Sequence, residues 1–94
     1  MANVSQVLQT PSFRKAAKKL NARQKKDLDT AVRTLMAQPE IGERKRGDLA
    51  FLRVYKFKMN KQQTLLGYSF NDDKLVLELM ALGSHEYFYR DIKR

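Results

Sequence analysis

At Leu49 the hydrophobic period of this chain changes from helical to two, and that change restricts the fold more than any other feature. Before it, Leu28, Ala31, Val32, Leu35 and Met36 fall at i, i+3, i+4, i+7 and i+8, an unbroken apolar stripe on one side of a helix. After it, residues 49–57, 63–70 and 74–82 read with a period of two and are rich in aromatic and branched aliphatic side chains, as strands are. Only residues 58–62 and 71–73 separate them. Connectors that short join antiparallel neighbours, not parallel strands with crossovers.

The N-terminal part completes the order. Residues 3–9 alternate loosely and suit a first strand. Thr10 before Pro11 is an N-cap followed by proline at the first helical position, and Phe13, Ala16, Ala17 and Leu20 then recur at helical spacing. Asn21 with Gln24 three residues on has the spacing of a capping box opening the second helix, which Pro39 closes. The expected architecture is β-α-α-β-β-β-α. It is an α+β domain whose helical hairpin packs on one face of a small, mainly antiparallel four-stranded sheet, with a short C-terminal helix. Residues 1–94 make one domain, since two cores do not fit in that length. The sheet face away from the helices is left partly open, and a site is expected there.

Alternation sorts the strand faces. In the strand entered at Leu49, Phe51, Arg53, Tyr55 and Phe57 share one side, and Leu52, Val54 and Lys56 the other. In the last strand Glu78 falls with Val76, Met80 and Leu82. A carboxylate so placed is expected to pair with a cation of a neighbouring strand.

Nineteen Lys and Arg against ten Asp and Glu leave a net charge of +9. Residues 1–46 hold eleven basic and four acidic side chains, a net +7, against +2 for the remainder. Such a field favours a polyanion, whose neutralised phosphates release counterions, or an acidic protein. The loop of residues 40–48 carries Arg44, Lys45 and Arg46 between two glycines and is a candidate phosphate contact. With no cysteine and one histidine, neither disulfides nor a metal site is expected, and no cofactor is called for. No run of ~18 apolar residues and no signal-peptide core is present, so a cytoplasmic location without membrane attachment is expected.

The last strand leads into Gly83-Ser84-His85-Glu86-Tyr87-Phe88-Tyr89-Arg90, which holds the single histidine. With Ser84 as N-cap, His85 falls in the first helical turn, where the positive helix end and nearby cations favour the neutral imidazole. Tyr89 follows one turn later on the same side, and Phe88 pairs at i+4 with Ile92 for docking on the sheet.

Several stretches together resemble the RelE/ParE superfamily of toxins from type II toxin–antitoxin modules. They are Gln9-Thr10-Pro11-Ser12-Phe13, Pro39-Glu40-Ile41-Gly42, Gly47-Asp48-Leu49 running into Leu52-Arg53-Val54-Tyr55-Lys56-Phe57, and Leu82-Gly83-Ser84-His85-Glu86 through Arg94. The resemblance implies a metal-independent mRNA endoribonuclease, acting on the ribosome or free of it, that inhibits translation and is neutralised by an acidic antitoxin. It implies a catalytic role for His85, where relatives carry histidine or arginine, and for Tyr89, which stacks a base or donates a proton. It further implies phosphate binding by Arg53, with Tyr55 standing where a second lysine is found in RelE. Thr64 and Leu65 occupy the place of a strand arginine common in relatives.

On that basis His85 is expected as general base, the acid role being open to it as well. Arg53 is expected to stabilise the phosphorane, assisted by Arg90 or by Arg44, Lys45 and Arg46, with Tyr55 beside it. Two other readings share the fold: a ParE-like protein that poisons DNA gyrase without cutting RNA, and a degenerate member that only binds its antitoxin.

Overall fold

The computed structural model describes residues 4–84 and Phe88. Its elements are β1 (Gln6–Gln9), α1 (Pro11–Lys18), α2 (Ala22–Ala37), β2 (Glu43–Arg44), a 3-10 turn (Gly47–Leu49), β3 (Arg53–Met59), β4 (Gln62–Asn71) and β5 (Val76–Gly83). The strands lie in the order β1-β5-β4-β3-β2. β1 runs parallel to β5, and every other pair is antiparallel. The sheet therefore has five strands where four were expected. The added one, β2, comes from the basic loop, two residues of which pair with Val54 and Arg53.

The helix ends behave as their sequences dictate. Thr10 Oγ1 accepts from the Phe13 N–H at 3.2 Å and donates to the Met80 carbonyl at 2.9 Å, so one side chain caps α1 and ties it to β5. Asn21 Oδ1 accepts from Gln24 N–H at 2.8 Å, and Gln24 Oε1 accepts from Asn21 N–H at 3.0 Å, completing the capping box of α2. No helix among the described residues is long and apolar enough to cross a membrane.

Both helices cover the same sheet face, α1 lying against β5 and α2 against β3. Phe13, Leu28, Ala31 and Leu35 meet Met59, Leu66, Tyr68, Leu77 and Leu79 in the main core. Met36, at the end of the helical stripe, is exposed instead. A second, smaller cluster forms on the other face from Leu52, Val54, Leu65, Ala81 and Phe88, with Met80 at its margin. β4 is sandwiched between them: residues 64–68 are all buried.

Two local devices set the register. Asn60 and Lys61 have φ of 52° and 69°, which makes the β3–β4 connection a tight two-residue turn, shorter than the connector expected. Between β4 and β5, Gly67 pairs with Ala81 but Tyr68 pairs with Leu79, so Met80 is a bulge. The extra residue reverses the alternation of β5. Leu82 joins the helix-side core, while Glu78, paired with Ser69, stays on the far face. Strict alternation had placed Leu82 and Glu78 together. The ion pair expected of Glu78 is not formed among the described residues; its half-exposed position keeps the carboxylate in contact with water.

Candidate functional site

Register decides which face each candidate belongs to. Arg53 pairs with Tyr68, Tyr55 with Leu66 and Phe57 with Thr64, so this set of β3 side chains shares the helix side. Tyr55 stacks on Phe57 with ring centroids 6.0 Å apart and planes 9° from parallel, and both pack on the main core. Arg53 projects past the end of α2, where one guanidinium nitrogen donates to the carbonyls of Glu40 and Gly42, each at 3.2 Å. It is anchored to the α2–β2 connector.

That connector is held a second time. The buried Tyr68 hydroxyl donates to the Pro39 carbonyl at 2.7 Å and accepts from the Gly42 N–H at 2.9 Å. Burial pushes the Tyr68 hydroxyl above its ordinary pKa of 10.0, against the lowering effects of the Gly42 N–H and the Arg53 charge. Gly42 must lack a side chain, because a Cβ there would lie 2.5 Å from the Tyr68 oxygen.

Arg44 and Arg53 meet in a cleft of about 460 Å³ at the end of the sheet where β4 turns into β5. Phe51, more than half exposed, and Phe70 form its apolar wall, and Glu40, Asp72 and Asp73 line it too. Arg44 Nε donates to the Ala50 carbonyl at 3.2 Å, and Lys45 Nζ lies 3.8 Å from Glu43. Arg46 is exposed. With three carboxylates against two guanidinium groups, this cleft is a poor trap for a polyanion.

The far face differs. Phe88, 1% exposed, sits over Gly67, against Leu52, Val54, Leu65 and Ala81. A Cβ on Gly67 would lie 2.6 Å from the end of the Phe88 ring, so the glycine makes the seat. The Phe88 N–H donates to the Ser84 carbonyl at 2.8 Å. Beyond the seat, β3 sends exposed Lys56 and Lys58 to this same side by alternation, in phase with Val54. Lys56 pairs with Leu65, which pairs with Gly83, so Lys56 is level with the end of β5, with β4 between them. Arg53 is level with Leu79, about 13 Å back along β5 at ~3.3 Å per residue, and on the other face.

His85, Tyr89 and Arg90 lie outside the described residues. Of the remaining candidates, Arg44 and Arg53 are brought together and Tyr55 faces α2, while Lys45, whose N–H donates to the Leu52 carbonyl at 3.0 Å, alternates in phase with Glu43, the partner of Val54, on the Phe88 side. Sequence reasoning passed over Lys56 and Lys58. The signal was there: they alternate in phase with Leu52 and Val54, whose complete apolarity marks a covered face.

A helix pair on one side of a small twisted sheet, and a basic rim around an aromatic seat on the other, define a compact cationic α+β protein. The family model described as ParE-like toxin of type II bacterial toxin–antitoxin system matches residues 7–93, and the chain belongs to that family, within the RelE/ParE superfamily. Three solved structures are similar in fold. A mutant of Escherichia coli toxin RelE in the free state has TM-score 0.71 and 20% identity, covering 93% of this chain and 87% of that one. The intact E. coli RelBE toxin–antitoxin complex has TM-score 0.66 and 20% identity, with coverage of 83% and 93%. The RelBE2 toxin–antitoxin complex of Mycobacterium tuberculosis has TM-score 0.66 and 19% identity, with coverage of 85% and 96%. No curated protein matches the chain in sequence.

Proposed function

We propose that this toxin is a metal-independent endoribonuclease that cuts mRNA at the far face of the sheet, beside the end of β5. The observation that carries the reading is the register that sets Lys56 level with Gly83, one strand across from where the His85 segment begins. In the reaction the 2′-oxygen attacks the adjacent phosphorus and the bond to the 5′-oxygen breaks. The products are a 2′,3′-cyclic phosphate and a free 5′-hydroxyl. His85 takes the 2′-hydroxyl proton, since imidazole titrates nearest neutrality. Lys56, supported by Lys58 and Arg90, stabilises the charge that develops on the phosphorane. The role first given to Arg53 passes to Lys56, because the Arg53 guanidinium is engaged by Glu40 and Gly42. Tyr89 stacks a base or protonates the leaving oxygen.

Similarity in fold to toxins solved in RelBE complexes supports neutralisation by a cognate antitoxin, and an acidic one suits a surface of net +9. Action on mRNA, on the ribosome or free, places the protein in the cytoplasm.

His85→Ala and Lys56→Ala should each abolish growth inhibition in a host lacking the antitoxin, with circular dichroism unchanged. Loss of the lysine should lower cleavage by about 10²–10³, the usual cost of one charge-stabilising donor. Undiminished toxicity of both variants would sink this mechanism. The family match to ParE-like toxins favours one other reading, a gyrase poison. Gyrase-dependent DNA cleavage by the purified protein, unaffected by His85→Ala, would establish it instead.

A further inference from the structure

The strongest charge in the molecule is not at the proposed cleaving face. From the N-terminus to Lys26 the chain has seven Lys and Arg and no acidic residue: Arg14, Lys15, Lys18, Lys19, Arg23, Lys25 and Lys26. All seven are exposed, and none has an ion-pair partner among the described residues. The first acids to follow are already occupied. Asp27 accepts from the Asn60 N–H at 2.8 Å, and Asp29 pairs with Arg33 at 3.0 Å. Arg23, Lys25 and Lys26 crowd the start of α2, the end of a helix where positive charge is disfavoured. Their presence is not explained by helix stability.

An open groove of about 220 Å³ between the two helices collects three of these cations, Arg14 and Lys18 from α1 and Lys25 from α2, with Gln9 and Ala17 completing its lining. We propose that this groove grips the phosphodiester backbone of double-stranded RNA. The helices lie on one sheet face, and Lys56, Lys58 and Phe88 on the other, so this grip is separate from the strand that is cut.

Three features choose the occupant. The lining has no aromatic ring on which an unpaired base could stack, which argues for a duplex over a single strand. Duplex RNA is held chiefly through phosphates and shape, contacts that a cationic groove supplies. Leu8, Met36, Ile41 and Phe51, the exposed large apolar side chains among the described residues, all lie outside the groove, which offers a protein partner no apolar anchor there. The choice of RNA over DNA rests on the endoribonuclease reading.

The test is fluorescence-anisotropy titration of the whole protein with a labelled RNA duplex of ~16 base pairs that contains no single-stranded segment. Two triple variants of equal charge are compared: Arg14→Gln/Lys18→Gln/Lys25→Gln, and Arg33→Gln/Lys61→Gln/Lys74→Gln. The groove triple should bind about 10²-fold more weakly at ~0.1 M salt. Its log-affinity slope against log-salt should be shallower by about 2–3, one unit per lost phosphate contact. The control triple should keep the wild-type slope. Cleavage of a short single-stranded RNA should be retained by the groove triple, so that a missing grip and a missing nuclease are read separately. Equal weakening by both triples would overturn the groove and leave net charge alone. Equal affinity for a DNA duplex of the same length would overturn the assignment to RNA. Binding of a labelled acidic peptide that the groove triple loses, without measurable duplex binding, would overturn it in favour of a protein.

Discussion

The Tyr68 hydroxyl is the residue-scale hinge of the architecture. It satisfies a buried N–H and a buried carbonyl of the α2–β2 connector at once, and the same connector receives the Arg53 guanidinium. Tyr68→Phe leaves both backbone groups without a partner, and we expect a loss of about 1–3 kcal/mol in urea unfolding at neutral pH. The difference from wild type should narrow in strong alkali. The folded-state pKa of Tyr68 lies above the ordinary 10.0, so its contribution is complete below pH 10. Above that, the unfolded state ionises first, and the contribution is lost as pH rises through the folded value. A gap that stays constant from pH 8 to 11.5 would show that the hydroxyl is not the source.

At the scale of elements, the informative pair is Gly67 with the Met80 bulge. Gly67 leaves the space that the Phe88 ring fills, and Met80 packs at the margin of the same cluster. Phe88→Ala should cost about 3–5 kcal/mol, as large aromatic truncations in cores do. Gly67→Ala should cost about 1–3 kcal/mol by overpacking. The double variant should be less than additive by at least 0.5 kcal/mol, because the second change removes the clash created by the first. Strict additivity in denaturant titrations would mean that the ring does not depend on the glycine. This pair also marks where sequence reading stopped. The helices, their caps and the three-strand meander were legible because each follows from local spacing and hydrogen bonding. A bulge is fixed by tertiary packing, and alternation carried past Met80 misassigns Leu82. β2 escaped notice because a two-residue strand has no period at all. The candidate site was less legible than the fold: Lys56 and Lys58 had the right phase, but only the pairing through Leu65 to Gly83 gives that phase a location.

For the whole molecule, charge and layers act together. The net +9 is concentrated on the helix pair, where seven cations from Arg14 to Lys26 have no ion-pair partner among the described residues. That repulsion opposes compaction and is screened as the Debye length falls below the spacing of the charges. Thermal unfolding should therefore shift upward between ~0.02 and 0.3 M sodium chloride. The shift should be about 4–8 °C for each kcal/mol of repulsion removed. The groove triple should show a smaller shift than wild type, having less to screen. A melting temperature that falls with salt in both would mean that favourable ion pairs dominate.

The parallel pairing of β1 with β5 joins Gln6 to Val76 and Gln9 to Leu79, and Ser5 N–H reaches the Leu75 carbonyl at 2.8 Å. Among the described residues β1 thus has its only sheet partner in β5, and the long loop from Gln9 to Val76 must close before it is seated. During synthesis the helix pair can form early, but the sheet it covers cannot be finished until residue 83 has emerged.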